Sequence, residues 1–105
     1  MRNVFTLDST AANLGISGAY TGAWVPVDTF NTLNAVAYAD VAGTLYLEQS
    51  LDGVNAIAST SVPLVAATLN AGLSVNVQAP YARVRLVNGA AAQTVHRTGL
   101  TGTRQ

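Results

Sequence analysis

Residues 72–88, GLSVNVQAPYARVRLVN, alternate apolar and polar side chains with a period of two, and no other pattern in the chain constrains its fold as tightly. In the first half Leu73, Val75, Val77 and Ala79 face one way, with Ser74, Asn76 and Gln78 on the other side. In the second half Ala82, Val84 and Leu86 point inward, and Tyr81, Arg83, Arg85 and Val87 point outward. A period of two is the mark of a half-buried strand, because successive Cβ atoms alternate across a pleated sheet. Pro80 lies between the runs, where a strand start or edge tolerates its missing N–H.

The same punctuation runs through the rest of the chain. GAWVPVDT, LNAVAYAD, GTLYLEQS, VNAIAS and VPLVAAT read as further strands, and NVFTL as another near the start. No segment carries a helical stripe with caps at both ends; AATLNAG (66–72) reads as a turn or a short helical excursion. About eight strands at roughly ten-residue spacing predict an all-β fold, an antiparallel β-sandwich of jelly-roll or Ig-like type. Asn88-Gly89 is the strongest hairpin signal, since both central positions of a type I′ turn need φ > 0. It predicts that YARVRLV folds back onto AAQTVHR. The ends lack clear alternation, so residues 1–20 are expected to form an extended N-terminal arm and 98–105 a C-terminal tail around a sandwich over 21–97.

A chain of 105 residues supports one core. Half of its residues are hydrophobic, but many are alanine, so the expected core is thin and built of Val and Leu. Charged residues are 10% of the chain, well below the usual ~25%. There is no lysine, and the net charge is zero. That balance supplies no basic field for nucleic acid or an anionic membrane. With no cysteine, disulfides, thiolate nucleophiles and Cys-based zinc sites are excluded. No signal-like apolar run opens the chain, and none approaches the ~18 residues of a membrane span. The expectation is synthesis in the cytoplasm, with the protein staying soluble unless something other than a signal exports it. A surface so poor in charge is either neutral and polar or covered by neighbours in an assembly.

Catalytic constellations are scarce. His96 is the only histidine; it has no acidic neighbour in sequence and no nucleophile elbow to serve, and is expected to face solvent on a strand. The carboxylates are Asp8, Asp28, Asp40, Glu48 and Asp52. Glu48 and Asp52 flank SLDG, but a hairpin tip offers no wall to hold a sugar, and the calcium-loop spacing is missing. The chemistry of Ser50, Asp52 and Gly53 is that of a tight turn with a glycine bulge joining GTLYLEQ to VNAIAS. Leu45 and Leu47 are expected buried and Glu48 exposed. Phosphate-binding glycine motifs are absent, and Schiff-base chemistry needs a lysine. The reading is therefore of a non-enzyme, without cofactor or metal. Trp24 is expected between the sheets; Tyr20, Tyr38, Tyr46 and Tyr81 could stack on sugars if exposed. Tyr81, Arg83, Arg85 and Arg97 are candidate interface residues, arginine being enriched there.

The order of these motifs resembles a pattern recurrent in tailed-bacteriophage structural proteins. The residues that carry it are Asp40, Gly43, Leu45, Leu47, Ser50, Asp52 and Gly53, then Tyr81, Arg83, Val84, Leu86 and Asn88, within residues 22–97. The resemblance implies a virion β-sandwich: a capsid decoration or cement protein, a head spike, or a neck or tail fibre piece. It further implies symmetric self-association, with a trimer favoured, and binding to the major capsid protein or other virion proteins. It carries over no catalytic residues. The alternative is a carbohydrate- or receptor-binding module of a phage fibre.

Overall fold

The computed structural model describes residues 3–64 and 70–104. Among the described residues nine strands form two antiparallel sheets. They are β1 (Asn3–Thr10), β2 (Ala19–Thr21), β3 (Val25–Pro26), β4 (Thr32–Ala39), β5 (Gly43–Ser50), β6 (Ala56–Leu64), β7 (Asn70–Asn76), β8 (Tyr81–Asn88) and β9 (His96–Arg104). The first sheet has the order β1-β9-β4-β7; the second has β2-β8-β5-β6, with β3 continuing the β2 edge beside β8. The sheets stack with β4 over β5 and β9 over β8. The chain is thus the all-β sandwich that the alternation predicts, and no helix in it is long and apolar enough to cross a membrane among the described residues.

The core lies where two inward rows meet. From the second sheet come Leu45, Leu47, Val84 and Leu86, and from the first Leu33, Ala35, Ala37, Ala39 and Leu100. Small alanines on β4 opposite leucines on β5 let the layers interdigitate, and give the thin core expected from composition.

Several local expectations are corrected. The N-terminal arm and C-terminal tail are strands of the sandwich: β1 pairs along its length with β9, and β9 lies in the middle of its sheet between β1 and β4. The C-terminal strand lacked an apolar alternation because its inward positions are His96, Thr98, Leu100 and Gly102. Gly102 carries no side chain because the Phe30 ring occupies that space; a Cβ there would lie 2.7 Å from it. Arg104 then stacks over the Phe5 and Phe30 rings. VNAIAS and the first half of VPLVAAT merge into the single strand β6. Of AATLNAG, residues 66–69 lie outside the described residues and Asn70–Gly72 open β7.

The Asn88-Gly89 hairpin does not form. Both flanks of β8 are already occupied, by β2 and β3 on one side and β5 on the other, so no edge remains for AAQTVHR. The chain instead crosses to the other sheet. Neither residue has positive φ. The Asn88 Nδ2 donates to the Gly15 and Ala91 carbonyls at 2.8 and 2.7 Å, and the Gly89 N–H donates to Ala42. Gly89 is glycine because a Cβ would press to 2.8 Å on the Ala42 oxygen.

Candidate functional site

The outer face of the second sheet gathers most of the residues expected at an interface. Cross-strand register sets Tyr46 beside Arg85 and Glu48 beside Arg83. The Arg83 Nε donates to Glu48 Oε1 at 2.7 Å and the Arg85 guanidinium to Oε2 at 3.3 Å. Arg83 lies 4.2 Å from the Trp24 ring centroid and Arg85 4.1 Å from that of Tyr46. Glu48 alternates outward as expected yet is only 6% exposed, because two guanidiniums and their aromatic partners cover it. Trp24 is likewise not a core residue: it sits in the break between β2 and β3, over Arg83 on the outside. Here the charges and rings satisfy one another.

At one end of this face is the β5–β6 hairpin tip. Ser50 and Asp52 hold it: the Ser50 oxygen accepts from the Gly53 N–H at 3.0 Å, and Asp52 Oδ1 accepts from Val54 and Asn55 N–H groups at 2.9 Å each. Those backbone donors, first Asn55 and then Val54, hold the Asp52 carboxyl far below the usual carboxylate range. Gly53 takes φ +75°, and the bulge lies between Gln49 and Ser50. The Tyr81 ring packs against Gly53. The tip is rigid, yet it presents Leu51, Val54 and Ile57 to solvent, at 63%, 72% and 57% exposure.

The outer face of the first sheet is different. Register places Tyr38 on β4 between Asn70 on β7 and Arg97 on β9, and Val36 between Gly72 and Gly99. These residues, with Ser9 and Thr10 from the end of β1, line an open trough of about 850 Å³. Arg97 is therefore separated from Arg83 and Arg85 by the thickness of the sandwich. The alternation in LNAVAYAD already puts Val36 and Tyr38 outward; an exposed aromatic on a central strand was the available signal for this face.

His96 is 2% exposed, contrary to the solvent-facing expectation. Its Nδ1 donates to the Ala12 carbonyl at 2.6 Å and its Nε2 meets the Thr98 hydroxyl. It ties the 11–14 segment to β9. Other polar groups do similar work. Gln49 accepts from the Gln78 and Ala79 N–H groups and donates to the Asn76 carbonyl, clamping the passage from β7 to β8. The Tyr20 hydroxyl donates to Asp8 at 2.7 Å, joining the sheets at one side. Burial, then the hydrogen bond to Asp8 and its charge, push that hydroxyl up to about 12. Asp40 accepts from Thr94 and from the Val95 N–H, and the Thr94 bonds, side chain first, lower its carboxyl. Among the described residues no three His, Cys, Asp or Glu side chains gather as a metal site.

Solved structures share this fold. The crystal structure of the PBSX exported protein XepA superposes with a TM-score of 0.76 at 24% identity, covering 97% of this chain; the chain spans 37% of XepA's length. A subunit from work on Bacillus endospore appendages, described as disulfide-linked pili, matches at TM-score 0.55 and 14% identity, over 100% of this chain and 92% of that one. A CBM4 structure matches at 0.55 and 12%, over 96% and 78%. No curated protein sequence matches the chain significantly. A family model does, described as the uncharacterised protein YqxG N-terminal domain and matched over residues 1–98, so the chain belongs to the YqxG N-terminal domain family.

Proposed function

We propose that the chain is a non-catalytic β-sandwich module of a phage-type particle, a virion structural protein of the decoration, cement or head-spike kind. It docks on an assembled surface, such as that of the major capsid protein, and associates with its own copies, most favourably as a trimer. Its place is the virion, or outside the cell as part of an exported protein. The observation that carries this reading is the β5–β6 tip. Leu51 and Val54 on a turn hydrogen-bonded by Ser50 and Asp52, with Ile57 at the start of β6, are each more than half exposed and make a surface suited to being covered. Each is already partly covered, so full burial on docking adds about 1–2 kcal/mol apiece. The phage-like order of sequence motifs supports the reading, as does the likeness to an exported PBSX protein in which this fold occupies about a third of the chain.

Truncating residues 1–20 cannot test the proposal, because β1 and β2 belong to the sandwich. The sharper variant replaces Leu51, Val54 and Ile57 by Ser together, since none of them is in the core. The wild-type protein is expected to be a trimer by light scattering and to pellet with assembled capsids, and the triple variant to fold but lose both properties. A monomeric wild type that does not pellet rejects the proposal. A second reading, a carbohydrate- or receptor-binding module of a fibre, is favoured by the exposed Tyr38 between Asn70 and Arg97.

A further inference from the structure

Apart from Gly15 and Gly18, which lie in the loop before β2, the glycines of this chain fall into two groups. At Gly22, Gly43, Gly89 and Gly102 an added Cβ would collide with neighbouring atoms, and at Gly53 the backbone has positive φ; packing or conformation demands glycine there. Gly72 and Gly99 meet neither demand. An added Cβ at Gly72 would find its nearest atom, the Ala35 oxygen, at 3.9 Å. At Gly99 it would make ordinary contacts of 3.6 and 3.7 Å with the Asp8 oxygen and Val36 Cγ2. Both lie inside strands, where glycine weakens the sheet and gives no side chain to pack. They also lie in one cross-strand row, on either side of Val36.

The missing side chains create the trough. One row along, Tyr38 stands 46% exposed between the Asn70 amide and the Arg97 guanidinium. One row the other way, Asn34 stands between Ser74 and Thr101. An exposed ring between hydrogen-bonding groups, beside a cleared strip of backbone, fits a flat, hydroxyl-rich ligand better than an apolar protein surface. The volume, about 850 Å³, is within the roughly 300–1,000 Å³ usual for small-ligand sites. Among the described residues no carboxylate lines the trough, and Arg97 makes no ion pair. The ligand should therefore bring the negative charge, and a planar guanidinium matches a carboxylate in bidentate geometry.

We infer that the outer face of the β1-β9-β4-β7 sheet binds a carboxylate-bearing oligosaccharide, one sugar ring on Tyr38, its carboxylate on Arg97, and the adjoining sugars over Gly72 and Gly99. The inference deepens the carbohydrate-binding reading and rests on it for the kind of ligand. It is also compatible with docking through the hairpin tip, which belongs to the other sheet.

The test is calorimetric titration of the full chain with an oligogalacturonate hexamer and, separately, with neutral xylohexaose. Oligogalacturonate is expected to bind at least about tenfold tighter, and increasingly weakly as salt rises, since salt screens an exposed charge pair. Arg97→Gln should level the two ligands, and Tyr38→Ala should weaken both by about tenfold or more. The decisive variant is Gly72→Thr with Gly99→Ala. Filling the trough should abolish binding while the denaturation midpoint stays or rises, whereas a structural role for these glycines predicts a lower midpoint. Equal binding of both sugars overturns the acidic-ligand assignment but leaves the carbohydrate reading standing. Binding untouched by Tyr38→Ala and the glycine variant overturns the site. No binding of either sugar rejects both, as does self-association that the glycine variant abolishes, which would make the face a contact between copies.

Discussion

The two outer faces of the sandwich carry similar residue types and use them in opposite ways. On the second sheet Arg83, Arg85, Glu48, Trp24 and Tyr46 contact one another, so their polarity and aromatic surface go into holding the sheet. On the first sheet Tyr38, Arg97 and Asn70 stand side by side around a trough. An arginine beside an aromatic on the neighbouring chain segment is thus no guide to a binding surface. What separates the cases is Glu48: a carboxylate across the strand fixes both guanidiniums over their rings, and Arg97 has no such neighbour across from it, only Tyr38.

The largest expected test of this contrast is Glu48→Ala. Removing the carboxylate leaves two half-covered guanidiniums without their counter-charge, and should cost about 2 kcal/mol, less than a fully buried pair because both arginines still reach water. Arg97→Ala and Tyr38→Ala on the other face should change stability by less than about 0.5 kcal/mol. Equal losses in urea denaturation would erase the distinction between the faces. Next in size are Trp24→Ala and Tyr46→Ala, each expected to cost about 1 kcal/mol through the lost cation–π contact and covered area. A neutral result for both would mean that the stacks are incidental.

Two pH effects sharpen the picture. The Tyr20 hydroxyl is raised from 10.0 to about 12 by burial and by Asp8. A raised folded value means that its contribution is fully present below pH 10 and is lost as pH climbs towards 12. Tyr20→Phe should remove that alkaline loss, read as the pH dependence of the urea midpoint. Smallest is the hairpin tip. The depressed Asp52 carboxyl supports the turn above the ordinary value of 3.8, and that support fades as pH falls below it towards the lower folded value. The protection of the Val54 and Asn55 amides, relative to their intrinsic exchange rates at each pH, should fall there, with the rest of the sandwich unchanged; in Asp52→Ala that protection should be low at every pH.

Legibility followed the range of the interactions. The alternation of YARVRLVN and GTLYLEQS is local, and it predicted β8, β5 and their buried Leu45, Leu47, Val84 and Leu86. The turn chemistry of SLDG is local too. The Asn88-Gly89 signal is equally local but yielded to pairing: β8 had no free edge, a fact set by strands far upstream, from Ser50 opposite Tyr81 back to Ala19 opposite Val87. Glu48 could be placed on the outer face from its own strand, but its burial depends on Arg83 and Arg85, thirty-five and thirty-seven residues away. The trough was invisible because Gly72, Val36 and Gly99 come from three strands and form a row only through register.

By itself, the sequence determined the class of fold, the faces of the strong strands and the rigid turn, since each follows from a side-chain period or a backbone preference within a few residues. Tertiary structure alone decided that the NVFTL strand pairs inside the sandwich and that the C-terminal run is a strand, with β9 inside a sheet despite its polar inward row, because His96 and Gly102 fit there against Ala12, Thr98 and Phe30. It decided likewise which arginines are engaged and which glycines are open. Those properties belong to pairs of residues, and the chain does not bring the partners together until both sheets are formed.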